Sequence, residues 1–156
     1  KRLAKQAYYP IIRTISATGD GWIYAAIAFS LIAVNFEAHQ YFFYSCLIGF
    51  GLEVPLYILL KRKFKRNRPQ DYLQDFQAKI KPSDQFSFPS GHTQTGFTAF
   101  FFLSVLLKHP ALQRICWVAA FLVGYSRVYI SQHFLMDIMA GSFIAVCAVS
   151  FAWIVW

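Results

Sequence analysis

Hydrophobic residues in this chain come in long unbroken runs, not in alternation. GWIYAAIAFSLIAVNF starts at Gly21, QYFFYSCLIGFGLEVPLYILL at Gln40, HTQTGFTAFFFLSVLLK at His92, RICWVAAFLVGYSRVYI at Arg114 and FLMDIMAGSFIAVCAVSFAWIVW at Phe134. Each run is apolar on nearly every side, which suits a helix surrounded by lipid better than one with a single buried stripe. Crossing a bilayer takes about 20 mostly apolar residues in a helix. Strands are not expected, because nothing alternates and an open sheet edge finds no hydrogen-bond partners in hydrocarbon. The pattern predicts an all-α, polytopic transmembrane helix bundle with five spans, forming one domain over residues 1–156.

The polar segments between the runs are uneven. Residues 1–20 are read as an interfacial segment. KRLAKQAYYPIIRTISA, with four basic side chains and Pro10, is too polar to cross and suits an amphipathic helix lying in the membrane surface. Gly19-Asp20-Gly21 breaks the chain after it. Glu37–His39 and His109–Gln113 read as tight turns, and residues 131–133 join the last two spans. The one long connection, 61–91, is polar and rich in basic residues. Alternating spans put Lys61, the 61–91 loop, His92, Arg127 and His133 on one membrane face, so three separated segments converge at one depth.

Composition sharpens this picture. The chain is 57% hydrophobic and only 14% charged, against about 25% charged in a soluble domain. Its net charge of +8 would suggest nucleic acid in a soluble protein. In an oily one it points to anionic headgroups or a phosphorylated substrate. Cys46, Cys116 and Cys147 lie in apolar runs without CxxC spacing and read as buried free thiols. KRLAKQAYYP lacks the apolar core of a signal peptide.

The converging segments carry the candidate chemistry. KRKFKRNRP supplies Lys61 and Arg68. SFPSGHT places Pro89 at a helix edge, where proline is tolerated. Ser90 there is a good N-cap, Gly91 allows close backbone approach, and His92 falls in the first turn. A helix N-terminus is a ready anion site. SRVYISQHFLMD adds Arg127, His133 and Asp137. The four-residue spacing of the last two puts them on one helical face, where Asp137 can accept from one imidazole nitrogen and leave the other free. Phosphoryl transfer is the chemistry this suggests. Lys61, Arg68 and Arg127 would hold phosphate oxygens, with the Ser90 hydroxyl and the Gly91 amide completing the cradle. His133 would be the nucleophile and His92 the acid for the leaving oxygen. Two histidines and one aspartate match a metal cage poorly, so no metal and no cofactor is expected.

K-x6-RP (Lys61–Pro69), PSGH (Pro89–His92) and SR-x5-H-x3-D (Ser126–Asp137) together resemble the three-part signature of the type-2 phosphatidate phosphatase and vanadium haloperoxidase superfamily. The resemblance covers about residues 15–156. It implies a metal-independent membrane lipid phosphatase working through a phosphohistidine, with His133 as nucleophile, His92 as acid, Asp137 as the orienting carboxylate, and Lys61, Arg68, Ser90, Gly91 and Arg127 as phosphate ligands. Membrane members usually have six spans against the five counted here, so a first span either lies upstream of Lys1 or is absent. The haloperoxidases of the superfamily are large soluble proteins, which five apolar runs argue against.

The partners implied are a membrane lipid phosphate and the bilayer, without nucleic acid. Undecaprenyl diphosphate is the first expectation for substrate, with phosphatidylglycerophosphate, phosphatidate and a lipid A phosphate as alternatives. Transfer to another lipid, or a silent lipid-binding protein with a degenerate site, are the competing readings. The excess of Lys and Arg on the site face would place that face in the cytoplasm. Several of those charges have a phosphate-binding reason to be there, and the resemblance implies a bacterial inner membrane with the site facing the periplasm. Glu53 and Thr93–Thr95 read as structural, His39 and His109 as surface residues, Trp22, Trp153 and Trp156 as an aromatic belt, and Lys79 and Lys81 as solvated loop charge.

Overall fold

The structure, a computed structural model, describes residues 8–72, 82 and 84–155. The expectations for the first seven residues, Lys79, Lys81 and Trp156 lie outside the described residues. Within them there are six α-helices, a single 3-10 turn at Pro69–Tyr72, and no strand.

Helix α1 (Tyr9–Ala17) opens with Pro10 in its first turn, where the missing N–H costs nothing. It meets α2 (Gly21–Val34) at a bend of 51° across residues 18–20. Asn35 alone separates α2 from α3 (Phe36–Phe64), and its side chain caps α3 by accepting from the Ala38 N–H at 3.0 Å. The turn expected at Glu37–His39 therefore lies a few residues earlier, because Asn35 is a strong N-cap and those residues already form the first turn of α3. Helix α3 has 29 residues, about 43 Å at 1.5 Å per residue. It continues through Pro55 and past the expected end of the span, so Lys61 sits in its last turn and not in a loop.

Helix α4 (Gly91–Leu107) is capped by Ser90, α5 (Pro110–Tyr129) carries proline in its first turn, and α6 (Leu135–Val155) closes the chain. Helix α4 is the hub. It packs against α2, α3, α5 and α6, and its buried face includes Thr93, Gln94, Thr98, Phe102 and Ser104. Ala28, Phe42, Cys46, Phe102, Val149 and Ala152 form one core cluster, and Phe97, Ala120 and Ala145 a second. Close crossings need small residues when there is no hydrophobic drive to bring helices together. A Cβ on Gly141 of α6 would lie 2.7 Å from the Ser90 carbonyl oxygen.

The outside of the bundle is as apolar as its core, with Phe143 69% and Ile154 82% exposed. A soluble monomer does not show so continuous an apolar surface, so this is an integral membrane protein. The helices beginning at Phe36 and Leu135 are long and apolar enough to cross a membrane, and the bent α1–α2 pair makes a third candidate. Two to three spans thus qualify by length and composition. Helix α4 has 17 residues with inward-facing polar groups, and α5 carries Arg114 and Arg127, which lowers the mean hydropathy of both. Cys46 and Cys116 are buried as expected; Cys147 faces outward on α6.

Candidate active site

Lys61, Arg68, Gly91, His92, Arg127 and His133 line one cavity of about 220 Å³ between the ends of α3, α4 and α5. The α1–α2 junction at Gly19–Gly21 closes one side. Each wall has a local cause. Residues 66–68 are stapled to the segment before α4, since the Ser87 N–H donates to the Arg66 carbonyl at 2.8 Å and its hydroxyl to the Asn67 carbonyl at 3.0 Å. The chain reverses after α5 through Ser131 in a left-handed conformation (φ 57°). The Arg127 carbonyl accepts from the amides of Gln132 and His133 at 3.0 and 3.3 Å. That turn folds His133 back over Arg127.

His133 is almost wholly buried. Its Nδ1 lies 2.7 Å from the Ser87 carbonyl oxygen, and its Nε2 lies 3.5 Å from a terminal nitrogen of Arg68. A carbonyl can only accept, so the proton sits on Nδ1 and the Nε2 lone pair faces the cavity. Burial pushes the imidazole down from 6.5 to about 4, and the charges of Arg127 and Arg68 add to that against the pull of Asp137.

Asp137, expected as the ring's partner, lies 3.8 Å from Nδ1, beyond hydrogen-bond reach. Its oxygens are taken by the Phe134 amide at 2.8 Å and by Arg66 at 3.0 Å. It caps the first turn of α6 and anchors Arg66, which also lies over the Phe134 ring at 4.4 Å. Ser90 likewise stands behind the cavity wall. Its hydroxyl pairs with that of Thr93 at 2.9 Å, and its amide donates to the Asp137 carbonyl at 3.1 Å. Gly91 lets α4 approach Tyr57, whose ring a Cβ there would meet at 2.9 Å.

Three cations line the cavity, and each has a distinct state. Arg127 donates to the Ser16 hydroxyl of α1 at 2.7 Å, while its buried Nε has no partner among the described residues. Lys61 donates to the Tyr57 hydroxyl at 2.7 Å and to Asp84 at 2.5 Å. Arg68 spends all five N–H donors: two on Gln132, one each on the Asp84 and Phe86 carbonyls, and one on the Asp84 carboxylate. Burial would raise the Asp84 carboxyl, but Lys61, Tyr57 and Arg68 together hold it down at about 2.

Sequence reasoning missed Asp84, Asp20 and Tyr57. Asp20 lies 3.0 Å from Nε2 of His92. Its only sequence signal was its place in Gly19-Asp20-Gly21. Glu53, read as structural, does pair with Thr98 at 2.5 Å, and it also lines the cavity. Among the described residues no group of three or more His, Cys, Asp or Glu is placed to hold a metal ion.

Comparison with known proteins places this arrangement. Phosphatidylglycerophosphatase B of Bacillus subtilis (strain 168) is 36% identical over 104 residues, 61% of this chain and 48% of that protein. An undecaprenyl-diphosphatase of Sulfolobus acidocaldarius is 32% identical over 97 residues, 61% of this chain and 46% of its own. The chain therefore spans about half the length of the curated relatives it matches. Among solved structures, Aquifex aeolicus LpxE superposes with a TM-score of 0.77 at 26% identity, over 94% of this chain and 86% of the other. The first transmembrane PAP2 type phosphatidylglycerolphosphate phosphatase from Bacillus subtilis gives 0.73 at 26% identity, over 92% and 74%. The PAP2 superfamily model matches residues 22–156, a stretch that holds all three cations and both histidines of the cavity. The chain belongs to the PAP2 superfamily.

Proposed function

We propose that the chain is a membrane lipid phosphatase that works through a phosphohistidine. The observation that carries this reading is the setting of His133. Nδ1 is held by a carbonyl, so Nε2 is the free nitrogen, and it faces Arg68 in a cavity lined by three cations. A phosphate monoester, with about −1.5 to −2 charges, suits those cations, and the unpartnered Nε of Arg127 gives it a donor.

In the first step the Nε2 lone pair attacks phosphorus, the bond from phosphorus to the lipid oxygen breaks, and that oxygen takes the proton that His92 shares with Asp20. In the second, water attacks the phosphorus, the N–P bond breaks, and the water proton returns to His92. His133 keeps its Nδ1 proton against Ser87 throughout. Asp137 and Ser90 act as positioning residues, the first through the turn that carries His133 and the second by capping α4.

The test is phosphate release from lipid phosphates in detergent micelles containing EDTA, by the purified chain and by His133→Ala. Release is expected from the parent and none from the variant, and full activity in His133→Ala overturns the mechanism. We place the protein in a bacterial inner membrane, with five crossing helices and the site towards the periplasm. The phosphate-binding role of Lys61, Arg68 and Arg127 weakens the positive-inside count that would put the site in the cytoplasm, and the outward orientation follows the family resemblance. A cysteine introduced at exposed Gln85 is then labelled by an impermeant thiol reagent in intact cells; protection of that cysteine reverses the orientation.

A further inference from the structure

Arg127 differs from the other two cations of the cavity in what holds it. Lys61 and Arg68 both pair with the Asp84 carboxylate. Arg127 is buried and has no carboxylate partner among the described residues. The group that holds it is neutral: one terminal nitrogen donates to the Ser16 hydroxyl at 2.7 Å. A hydroxyl fixes the direction of a guanidinium without cancelling its charge, so the charge stays available to an anion. A buried cation without a counter-ion is costly, and a phosphate in the cavity supplies the missing partner.

Ser16 reaches Arg127 because α1 lies against α5. A Cβ on Gly19 would come within 2.9 Å of the His92 carbonyl oxygen and of a Val123 methyl, so a glycine there lets the junction after α1 close onto α4 and α5. Val123 stands one turn before Arg127 on α5, and Ser16 three residues before Gly19. The two contacts run in opposite directions along the two segments, an antiparallel seating that delivers Ser16 to Arg127. The junction is itself held: Tyr24 of α2 donates to the Thr18 carbonyl at 2.5 Å, and the Thr18 hydroxyl to the Ile15 carbonyl at 2.7 Å. Ser16 is the only buried residue of α1, and it is polar. The family match begins at residue 22, so Ser16 lies before it.

We propose that Ser16 is a positioning residue for the phosphate: it holds Arg127 in its binding direction before substrate arrives, and α1 thereby sets the affinity of the site for a phosphate-like anion. The proposal rests on the phosphatase reading above for its substrate. With Ser16 in place the long Arg127 side chain is already ordered. Without it, the phosphate must order that side chain on binding, which weakens affinity by about threefold to tenfold for one long side chain. Once bound, the phosphate holds Arg127 itself, so the chemical step is unaffected.

The test measures the orthovanadate Kd by titration calorimetry in micelles. It also measures KM and kcat for whichever of phosphatidate and phosphatidylglycerophosphate the parent hydrolyses faster. Ser16→Ala is expected to raise Kd and KM by about threefold to tenfold with kcat nearly unchanged, the pattern of an interaction that acts on binding alone. Ser16→Thr, which restores the hydroxyl, is expected to return both to the parent values. Thr14→Ala removes a hydroxyl of the same helix that turns back to the Pro10 carbonyl at 3.1 Å, and is expected to change neither. Unchanged affinity in Ser16→Ala, an equal loss in Thr14→Ala, a folded Ser16→Thr as weak as Ser16→Ala, or a loss confined to kcat overturns the proposal and leaves the phosphatase reading standing. Release from neither lipid, or release that survives His133→Ala, overturns that reading, and the orthovanadate Kd still decides the role of Ser16.

Discussion

Replacing Asp84 with asparagine should tighten the binding of a phosphate-like anion. Asp84 touches Lys61 at 2.5 Å, and its other oxygen is held by Arg68. A phosphate reaching for those cations meets a carboxylate already there. Arg68 has no donor to spare unless one of its partners yields. The backbone carbonyls of Asp84, Phe86 and Gln132 are fixed by the fold, whereas the Asp84 side chain is 31% exposed and is the partner that can swing away. The cations lower its carboxyl from 3.8 to about 2, a difference worth about 2.4 kcal/mol at 1.36 kcal/mol for each factor of ten. Discounting for solvent screening at a partly exposed group leaves about 1–2 kcal/mol. Asp84→Asn keeps the shape and removes the charge. Orthovanadate, measured by titration calorimetry in micelles, should then bind about 5–30 times more tightly, the factor that 1–2 kcal/mol represents. Unchanged or weaker binding would refute the reasoning and make Asp84 a brace that holds Lys61 and Arg68 in place.

Two further outcomes follow from the same geometry. His133, lowered from 6.5 to about 4 by burial, stays neutral in the fold while it is charged in the unfolded chain across that window. Its contribution to stability is therefore complete above about 6.5 and falls as pH drops from there to about 4; 15N-histidine NMR should find its midpoint near 4, and a midpoint near 6.5 contradicts the buried placement. Gly141→Ala puts a Cβ 2.7 Å from the Ser90 carbonyl oxygen, while Gly51→Ala meets nothing within 4 Å. The first should lose about 1–3 kcal/mol and the second almost nothing, read as melting temperature in detergent, with equal melting of the two ruling out the close α4–α6 crossing.

Much of the fold was legible because lipid imposes a simple pattern. The apolar runs marked α2 to α6, and Lys61, Arg68, His92, Arg127 and His133, grouped by their motifs, line one cavity. The boundaries were less legible. Helix α3 keeps its hydrogen bonds through Pro55 and on to Phe64, although the hydropathy signal stops at Leu60. The His133–Asp137 expectation used a spacing rule that holds only within a helix. His133 lies two residues before α6 begins, so its Nδ1 reaches the Ser87 carbonyl first and stands 3.8 Å from Asp137, and a carboxylate in the first turn of a helix finds a free amide before it finds a side chain.

The acids were the least visible part of the site, and they carried a signal of their own. The chain has seven. Asp20, Glu53 and Asp84 line the cavity, Asp137 holds the turn that carries His133, and Asp71 accepts from the Arg68 amide at 2.7 Å. Four of the seven thus touch Arg66, Arg68, Lys61 or His92 directly, and Glu53 lines the same cavity while bonded to Thr98. A charge inside a membrane protein is expensive unless it is paired. A motif that gathers cations at the edge of a bundle therefore requires anions within reach, whatever their position in sequence. Spacing cannot locate them, since Asp20 and Asp84 sit in breaks between helices where no period holds. Scarcity can: in a chain this poor in acid, each carboxylate outside a solvent-facing turn is a candidate partner of the cationic motif.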